Sequence, residues 1–156
     1  MDNGLIIDRA RAEDVEAIVA MLADDTLGAR RESPQEPGIY LKAFEAVDAD
    51  PNQFLAVARR EGRVVGTLQL TFIPGLSRRG AVRAQVEAVR VHTSERGRGL
   101  GTDLLLWAEE EARRRGAAMV QLTSDASRGE AHRFYERLGY TASHVGFKKE
   151  LGGASA

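Results

Sequence analysis

Cysteine is absent from the 156 residues. Its absence excludes disulfides, thiolate zinc sites and a cysteine nucleophile, and it fits a reducing compartment. An excess of one charge is also absent. The 22 basic and 23 acidic residues leave a formal net charge of −1, so the chain as a whole has no electrostatic pull toward nucleic acid. No apolar run approaches the roughly 18 residues of a membrane helix, and the start, Met1-Asp2-Asn3-Gly4, carries no basic-then-apolar leader pattern. A cytoplasmic protein with neither nucleic-acid nor membrane partners is the expectation. Internal repeats and low-complexity segments are missing too, and proline is limited to four residues. What remains is an ordinary globular composition, 43% hydrophobic, in a chain long enough to bury about two-thirds of its unfolded surface. It reads as a single domain over 1–156, with an ordered core from about 4 to 151.

The most informative stretch is VEAVRVHTSERGRGLGT, from Val86 to Thr102. Val86, Val89 and Val91 mark a strand that breaks at His92-Thr93-Ser94-Glu95. The loop Arg96-Gly97-Arg98-Gly99 follows, and from Leu100 the spacing of Leu100, Leu104, Trp107 and Ala108 turns helical. Gly97, Gly99 and Gly101 let backbone come close to a ligand. The first turn of a helix offers free N–H groups and the positive end of its dipole, so the fitting guest is an anion. Arg96 and Arg98 add positive charge. A plain tight turn with a helix cap needs one glycine and no arginines. A P-loop needs Lys-Ser/Thr after its last glycine, where Thr102-Asp103 stands, and a dinucleotide fingerprint wants Gly or Ala in place of Thr102.

The stretch resembles the pyrophosphate loop of the GCN5-related N-acetyltransferases, whose signature Arg/Gln-x-x-Gly-x-Gly/Ala is matched by Arg96, Gly99 and Gly101. A second mark of that family, A-x-x-F-Y-x-x-x-G-F/Y, is matched by Ala131, Phe134, Tyr135, Gly139 and Tyr140. The two motifs occur in the family's order, and the resemblance covers residues 4 to 151.

Along the chain, Leu5-Ile6-Ile7 reads as a strand, and Val15, Ile18, Val19 and Leu22 as one face of a helix. Residues 26 to 37 read as a loop punctuated by Gly28, Pro34 and Pro37, and 39 to 47 as a second helix. Strands are expected at 54–58 and 64–73, joined by a hairpin turn at Glu61-Gly62, and again at 81–91. The helix from Leu100 stops at Arg113-Arg114-Arg115-Gly116, where basic residues and a glycine suit a helix C-terminus better than a nucleic-acid patch. A strand at 117–123, a helix at 130–138 and a last strand or strand pair within 140–151 complete the chain. This order suggests an α/β fold, a mixed and mainly antiparallel central sheet with helices on both faces. It matches the fold the resemblance implies, in which two parallel strands, here 85–91 and 118–123, splay apart around the donor.

The resemblance also implies the chemistry: an enzyme, a transferase moving acetyl from acetyl-CoA to a primary amine of a small molecule, with no metal. It assigns the pyrophosphate to Arg96, Gly97, Arg98, Gly99, Leu100, Gly101 and Thr102. The pantetheine arm goes to the backbone of Val89 and Val91, as an added strand, and a backbone N–H near Val89 polarises the thioester oxygen. Tyr135 is the family's usual general acid, since a phenol of ordinary pKa ~10 can protonate a leaving thiolate. A packing role beside Phe134 is the alternative. Glu87, taken as sharing a strand face with Val89 and Val91, is the candidate base, with a surface ion pair to Arg83 or Arg90 as its alternative. His92 and His132 are further candidates. Arg128 stands where many family members have Asn and is assigned to a CoA phosphate. The acceptor wall falls at about 24–50, where seven acids against three bases lean toward a cationic amine. A non-catalytic acyl-CoA-binding module and a protein or peptide N-acetyltransferase are the competing readings, and a homodimer is compatible with all of them.

Overall fold

The structure, a computed structural model, describes residues 4–152. The reading of Met1–Asn3 and of the tail beyond Gly152 falls outside them. Contacts divide the chain into two compact units, one ending at Leu122 and the other beginning at Thr123.

The first unit is built on a five-stranded sheet of order β1-β2-β3-β4-β5. Strands β1 (Leu5–Arg9), β2 (Gln53–Arg60), β3 (Arg63–Ile73) and β4 (Arg83–Val91) pair antiparallel in succession, and β5 (Met119–Leu122) joins β4 in parallel. Glu61 and Gly62 close the β2–β3 hairpin with φ of 53° and 78°, the doubly left-handed geometry that matches strand twist. The sheet is mixed and mainly antiparallel, as the pattern of the sequence implies.

Alternation along β3 distributes the covering helices. A Cβ on Gly66 would meet Leu100 and Leu104 of α5 (Leu100–Arg114) at 3.1–3.2 Å. Leu68, Leu70 and Phe72 share that face by period, and Leu68 and Leu70 are fully buried. Thr67 and Gln69 point the other way, toward α1 (Val15–Ala23) and α3 (Pro37–Ala49). Each fully buried Leu contributes on the order of 1.5–3 kcal/mol, so β3 is the axis of the core. Midway along α5, Trp107 meets Phe54 edge to face with centroids 5.0 Å apart, and just past its end the Arg115 guanidinium lies 4.5 Å over Phe72.

The arginine run at 113–115 has local work to do. Gly116 donates to the Arg113 carbonyl and Ala117 to that of Ala112, with Gly116 at φ 77°, a left-handed helix stop. Arg114 and Arg115 both bind buried Glu111. Burial pushes the Glu111 carboxyl up, but these two hydrogen-bonded cations outweigh it and hold the group below its usual range. A second buried pair joins Asp14 to Arg59 through two hydrogen bonds of 2.7 and 2.6 Å. The Arg59 hydrogen bonds hold Asp14 low, so the stability from this pair is full above the unfolded carboxylate range and is lost as pH falls through the folded pKa.

Two expectations fail. Part of the loop expected at 26–37 is a helix, α2 (Thr26–Arg31), capped by the Asp25 carboxylate on the Gly28 N–H. Gly28 does not mark a turn. A Cβ there would lie 1.8 Å from the Leu22 carbonyl oxygen, so glycine lets α1 and α2 approach. The strand expected within 140–151 is also absent: no described residue after β5 belongs to a strand. Val145, Phe147 and Leu151 are exposed. Alternating apolar residues supply strand propensity, but a strand exists only when another strand takes up its N–H and C=O groups.

The second unit holds α6 (Gly129–Arg137). Gly139, at φ 95°, ends it, with Gly139 donating to Glu136 and Tyr140 to Tyr135. Phe134, Tyr135 and Tyr140 stack edge to face, with centroids 5.2 and 6.0 Å apart. The Gly139-Tyr140 part of the motif is thus a helix stop in its own right.

Candidate functional site

Strand β4 changes character half-way. Residues 83–86 pair with β3 on one side and with residues 119–122 of β5 on the other. Beyond Val86 the β5 ladder ends, while β4 runs on to Val91. In the same place its pairing with β3 slips. Gln69 lies opposite Glu87 and Thr67 opposite Arg90, so Ala88 and Val89 together face Leu68 alone. This is a β-bulge, and Ala88 sits at φ 53°, a left-handed conformation costing roughly 1–2 kcal/mol for a residue with a Cβ.

The bulge overturns the premise that Glu87, Val89 and Val91 share a face. Residues directly opposite in antiparallel strands point to the same side. Glu87 therefore lies with Gln69, on the α1–α3 face, and Val91 with Gly66, on the α5 face. One inserted residue reverses every later side chain. Sequence periodicity has no signal for it, because Val86–Val91 contains no glycine or proline to mark a bulge.

On the α1–α3 face a hydrogen-bonded chain runs along β4 and β5. The Arg83 guanidinium donates to the Gln121 side-chain Oε1 at 3.2 Å, the Gln121 Nε2 to the Gln85 Oε1 at 2.8 Å, and the Gln85 Nε2 to a Glu87 carboxylate oxygen at 2.9 Å. Each amide accepts from the residue before it and donates onward. The chain fixes the Glu87 side chain, which is exposed at the point where β5 ends.

Past β4, His92 opens a short 3-10 turn, Thr93–Glu95, its Nδ1 accepting from the Ser94 N–H at 3.1 Å. That role as a cap differs from the base considered for it. Glu95, 4% exposed, is gripped by Arg60 of β2, whose Nη2 lies 3.0 Å from Oε1, and by Arg98 at 3.4 Å. This buried acid anchors the loop to the sheet. Nothing in the sequence marked either Glu95 or Arg60, since a buried acid in a polar loop looks like any other.

In the loop itself Gly97 and Gly99 take φ of 77° and 84°, and Gly99 is the N-cap of α5. Two of the three glycines are therefore required by backbone conformation. A Cβ at either would meet nothing within 4 Å, so the loop is open on that side. Arg96, Gly97, Arg98 and Gly99 are exposed, Leu100 is buried beneath them, and Gly101 and Thr102 form the first helical turn. A helix start with no side-chain cap on its first-turn N–H groups, and two arginines on the loop before it, is chemically suited to an anion.

Three of the seven acids of the proposed acceptor wall are engaged by other side chains within the chain. Asp24 pairs with Arg96 at 3.4 Å, Asp25 caps α2 and approaches Arg90 at 3.5 Å, and Glu32 accepts from Tyr40. Asp24 and Asp25 are thus matched by arginines from the loop and β4, which reduces the surplus that leaned toward a cationic acceptor. Glu87, Val89, Val91 and the loop belong to the first unit. Tyr135 and Arg128 belong to the second, where Arg128 is the N-cap residue of α6 and His132 contacts the Asp125 carbonyl at 2.8 Å.

An open, mixed and mainly antiparallel sheet, whose strand β4 outruns its parallel neighbour β5 next to a glycine-rich helix start, defines the class of fold. The chain belongs to the acetyltransferase (GNAT) family, whose profile matches residues 6–140. It is 33% identical over 142 residues to the aminoalkylphosphonate N-acetyltransferase of Salmonella typhimurium, covering 91% of this chain and 88% of that one. Over 90 residues it is 37% identical to the glucosamine 6-phosphate N-acetyltransferase of Trypanosoma brucei brucei, covering 58% and 59%. A crystal structure described as a transcriptional regulator from Bacillus halodurans superposes with a TM-score of 0.91 at 44% identity, covering 94% of this chain and 99% of that one. The protein is an acetyltransferase. No helix among its described residues is long and apolar enough to cross a membrane.

Proposed function

We propose that the protein transfers acetyl from acetyl-CoA directly to a primary amine of a small molecule. The observation that carries this reading is the half-paired strand β4, which runs on past the end of the β5 ladder beside an open, arginine-flanked helix start. Acetyl-CoA supplies the acetyl group as a reactive thioester. The first-turn N–H groups of α5, with Arg96 and Arg98, hold the pyrophosphate, and Arg128 contributes a further cation for a CoA phosphate. The backbone of Val89 and Val91 pairs with the pantetheine arm as an added strand, and the N–H at Val89 polarises the thioester oxygen. The neutral amine nitrogen attacks the carbonyl carbon, a C–N bond forms and the C–S bond breaks. Glu87 accepts the amine proton through a water, and Tyr135 gives its phenolic proton to the departing thiolate.

The acceptors named for the Salmonella and trypanosome relatives are small amines, which supports screening that class first. The test is an amine panel with acetyl-CoA, reading CoA thiol release and product mass together. Acetyl-CoA binding without thiol release for any amine means a binding module rather than an enzyme of this kind. Modification of protein N-termini or lysines in place of small amines moves the acceptor to peptides. Tyr135→Phe is expected to lower kcat by about 10²- to 10⁴-fold with little change in the KM for acetyl-CoA. Wild-type kcat in that variant, with chemistry limiting, returns Tyr135 to packing.

A further inference from the structure

We infer that the acceptor site has an apolar subsite, a cavity of about 130 Å³ between α1, α3 and the sheet, and that the acceptor is a primary amine carrying a short hydrocarbon group. The inference rests on the proposed function and deepens it. The cavity runs from buried Ile18 and Val19, past Leu22, Phe44 and Leu55, to exposed Ala43 and Ala88. Ala88 is the bulge residue. The cavity therefore opens where the β5 ladder has ended, beside the stretch of β4 given to the thioester and on the face that carries Glu87.

The chemistry of the lining selects the occupant. No charged side chain lines the cavity among the described residues. Its three polar side chains already have partners: Thr67 donates to the Ala56 carbonyl at 2.8 Å, Gln69 to Gln53 at 2.8 Å, and Tyr40 to Glu32 at 2.9 Å. Tyr40 also accepts from the Ser33 N–H. A phosphonate or phosphate would need cations and free donors there, and its desolvation would go uncompensated. An apolar cavity of roughly 150 Å³ lined by aliphatic and aromatic residues is large enough for benzene. The space here suits a butyl or phenyl group, which sets this chain apart from relatives named for phosphonate- and phosphate-bearing amines.

The test is steady-state kinetics at saturating acetyl-CoA with ethylamine, butylamine, benzylamine and 2-aminoethylphosphonate. Ethylamine and butylamine have nearly equal basicity, so their ratio reads the hydrocarbon alone. We expect kcat/KM to rise about three- to fourfold per added methylene, and both butylamine and benzylamine to exceed 2-aminoethylphosphonate by at least tenfold. Ala43→Phe, a change at an exposed helical position, projects a ring into the opening. It is expected to cut the butylamine-to-ethylamine ratio at least fivefold, with the melting temperature confirming the fold. A flat wild-type series, preference for 2-aminoethylphosphonate, or an unaltered ratio in Ala43→Phe overturns the subsite. Calorimetry with acetyl-CoA separates the two failures. Binding and turnover with the wrong amine order leave the acetyltransferase reading intact and remove the subsite; no binding removes both.

Discussion

The two halves of β4 make the instructive comparison in this molecule. Residues 83–86 are flanked by strands on both sides, and their inward side chains, Ala84 and Val86, are 0 and 2% exposed. Residues 87–91 have lost one neighbour, slip against the other and contain a left-handed alanine. A single nine-residue strand thus carries a core segment and the segment proposed for the site end to end. Beyond Val86 the backbone has no β5 partner, and the Val89 carbonyl accepts instead from the Arg90 guanidinium at 2.9 Å; a bulge re-aims side chains where a straight strand would only alternate. The first half supplies stability, and the second supplies shape.

If that division holds, damage should separate cleanly. Leu70 lies opposite Val86 in the paired half and is fully buried. Leu70→Ala should cost about 2–5 kcal/mol in urea denaturation, while the fraction that remains folded keeps its acetyl-CoA affinity. A large loss of affinity in that fraction would break the comparison. In the other half, Glu87→Gln should slow acetyl transfer by about 10²-fold or more with urea stability nearly unchanged. It should also remove a rising pH limb that stays fixed as acceptors of different basicity are compared. If wild type and variant follow the amine alike, Glu87 is not the base.

Gly99→Asp tests the loop that continues from the same half. It places a Cβ at a left-handed position and a carboxylate beside the arginines. Calorimetry should show acetyl-CoA binding weakened at least tenfold, about 1.4 kcal/mol, and unchanged affinity in a folded variant would remove the loop from the site. The smallest effect is expected at the bulge. Ala88→Gly relieves left-handed strain of roughly 1–2 kcal/mol but adds unfolded-state freedom of about 0.5–1. The net should be a gain of about 0.5 kcal/mol, a rise of about 1–2 °C in Tm. A lower Tm would mean that the alanine methyl, at the cavity rim, packs more than it strains.

Much of this was legible beforehand, for local reasons. The paired strands and α5 follow from the spacing of Leu68, Leu70 and Phe72 and of Leu100, Leu104 and Ala108. The hairpin follows from Glu61-Gly62, and the stop of α5 from Gly116. Residues 140–151 misled for the opposite reason. Val145 and Phe147 alternate as a strand would, but whether a partner exists is not a local property. Helix α2 was missed because Gly28 reads as a breaker, whereas its meaning here is the close approach of the Leu22 carbonyl.

The sequence by itself determined the strand–loop–helix unit, the glycines at 97 and 99, and the family, because each depends on residues close together in the chain. Only the tertiary structure decided where the β5 ladder stops, that β4 bulges at Ala88 and Val89, and hence that Glu87 and Val91 face opposite ways. It alone brought Arg60 to Glu95, 35 positions apart, and enclosed an uncharged cavity between α1, α3 and the bulge. Periodicity gives each strand its own two faces. Which residue lies opposite which is set by the neighbouring strand, and a slip of one position there leaves no trace in either sequence.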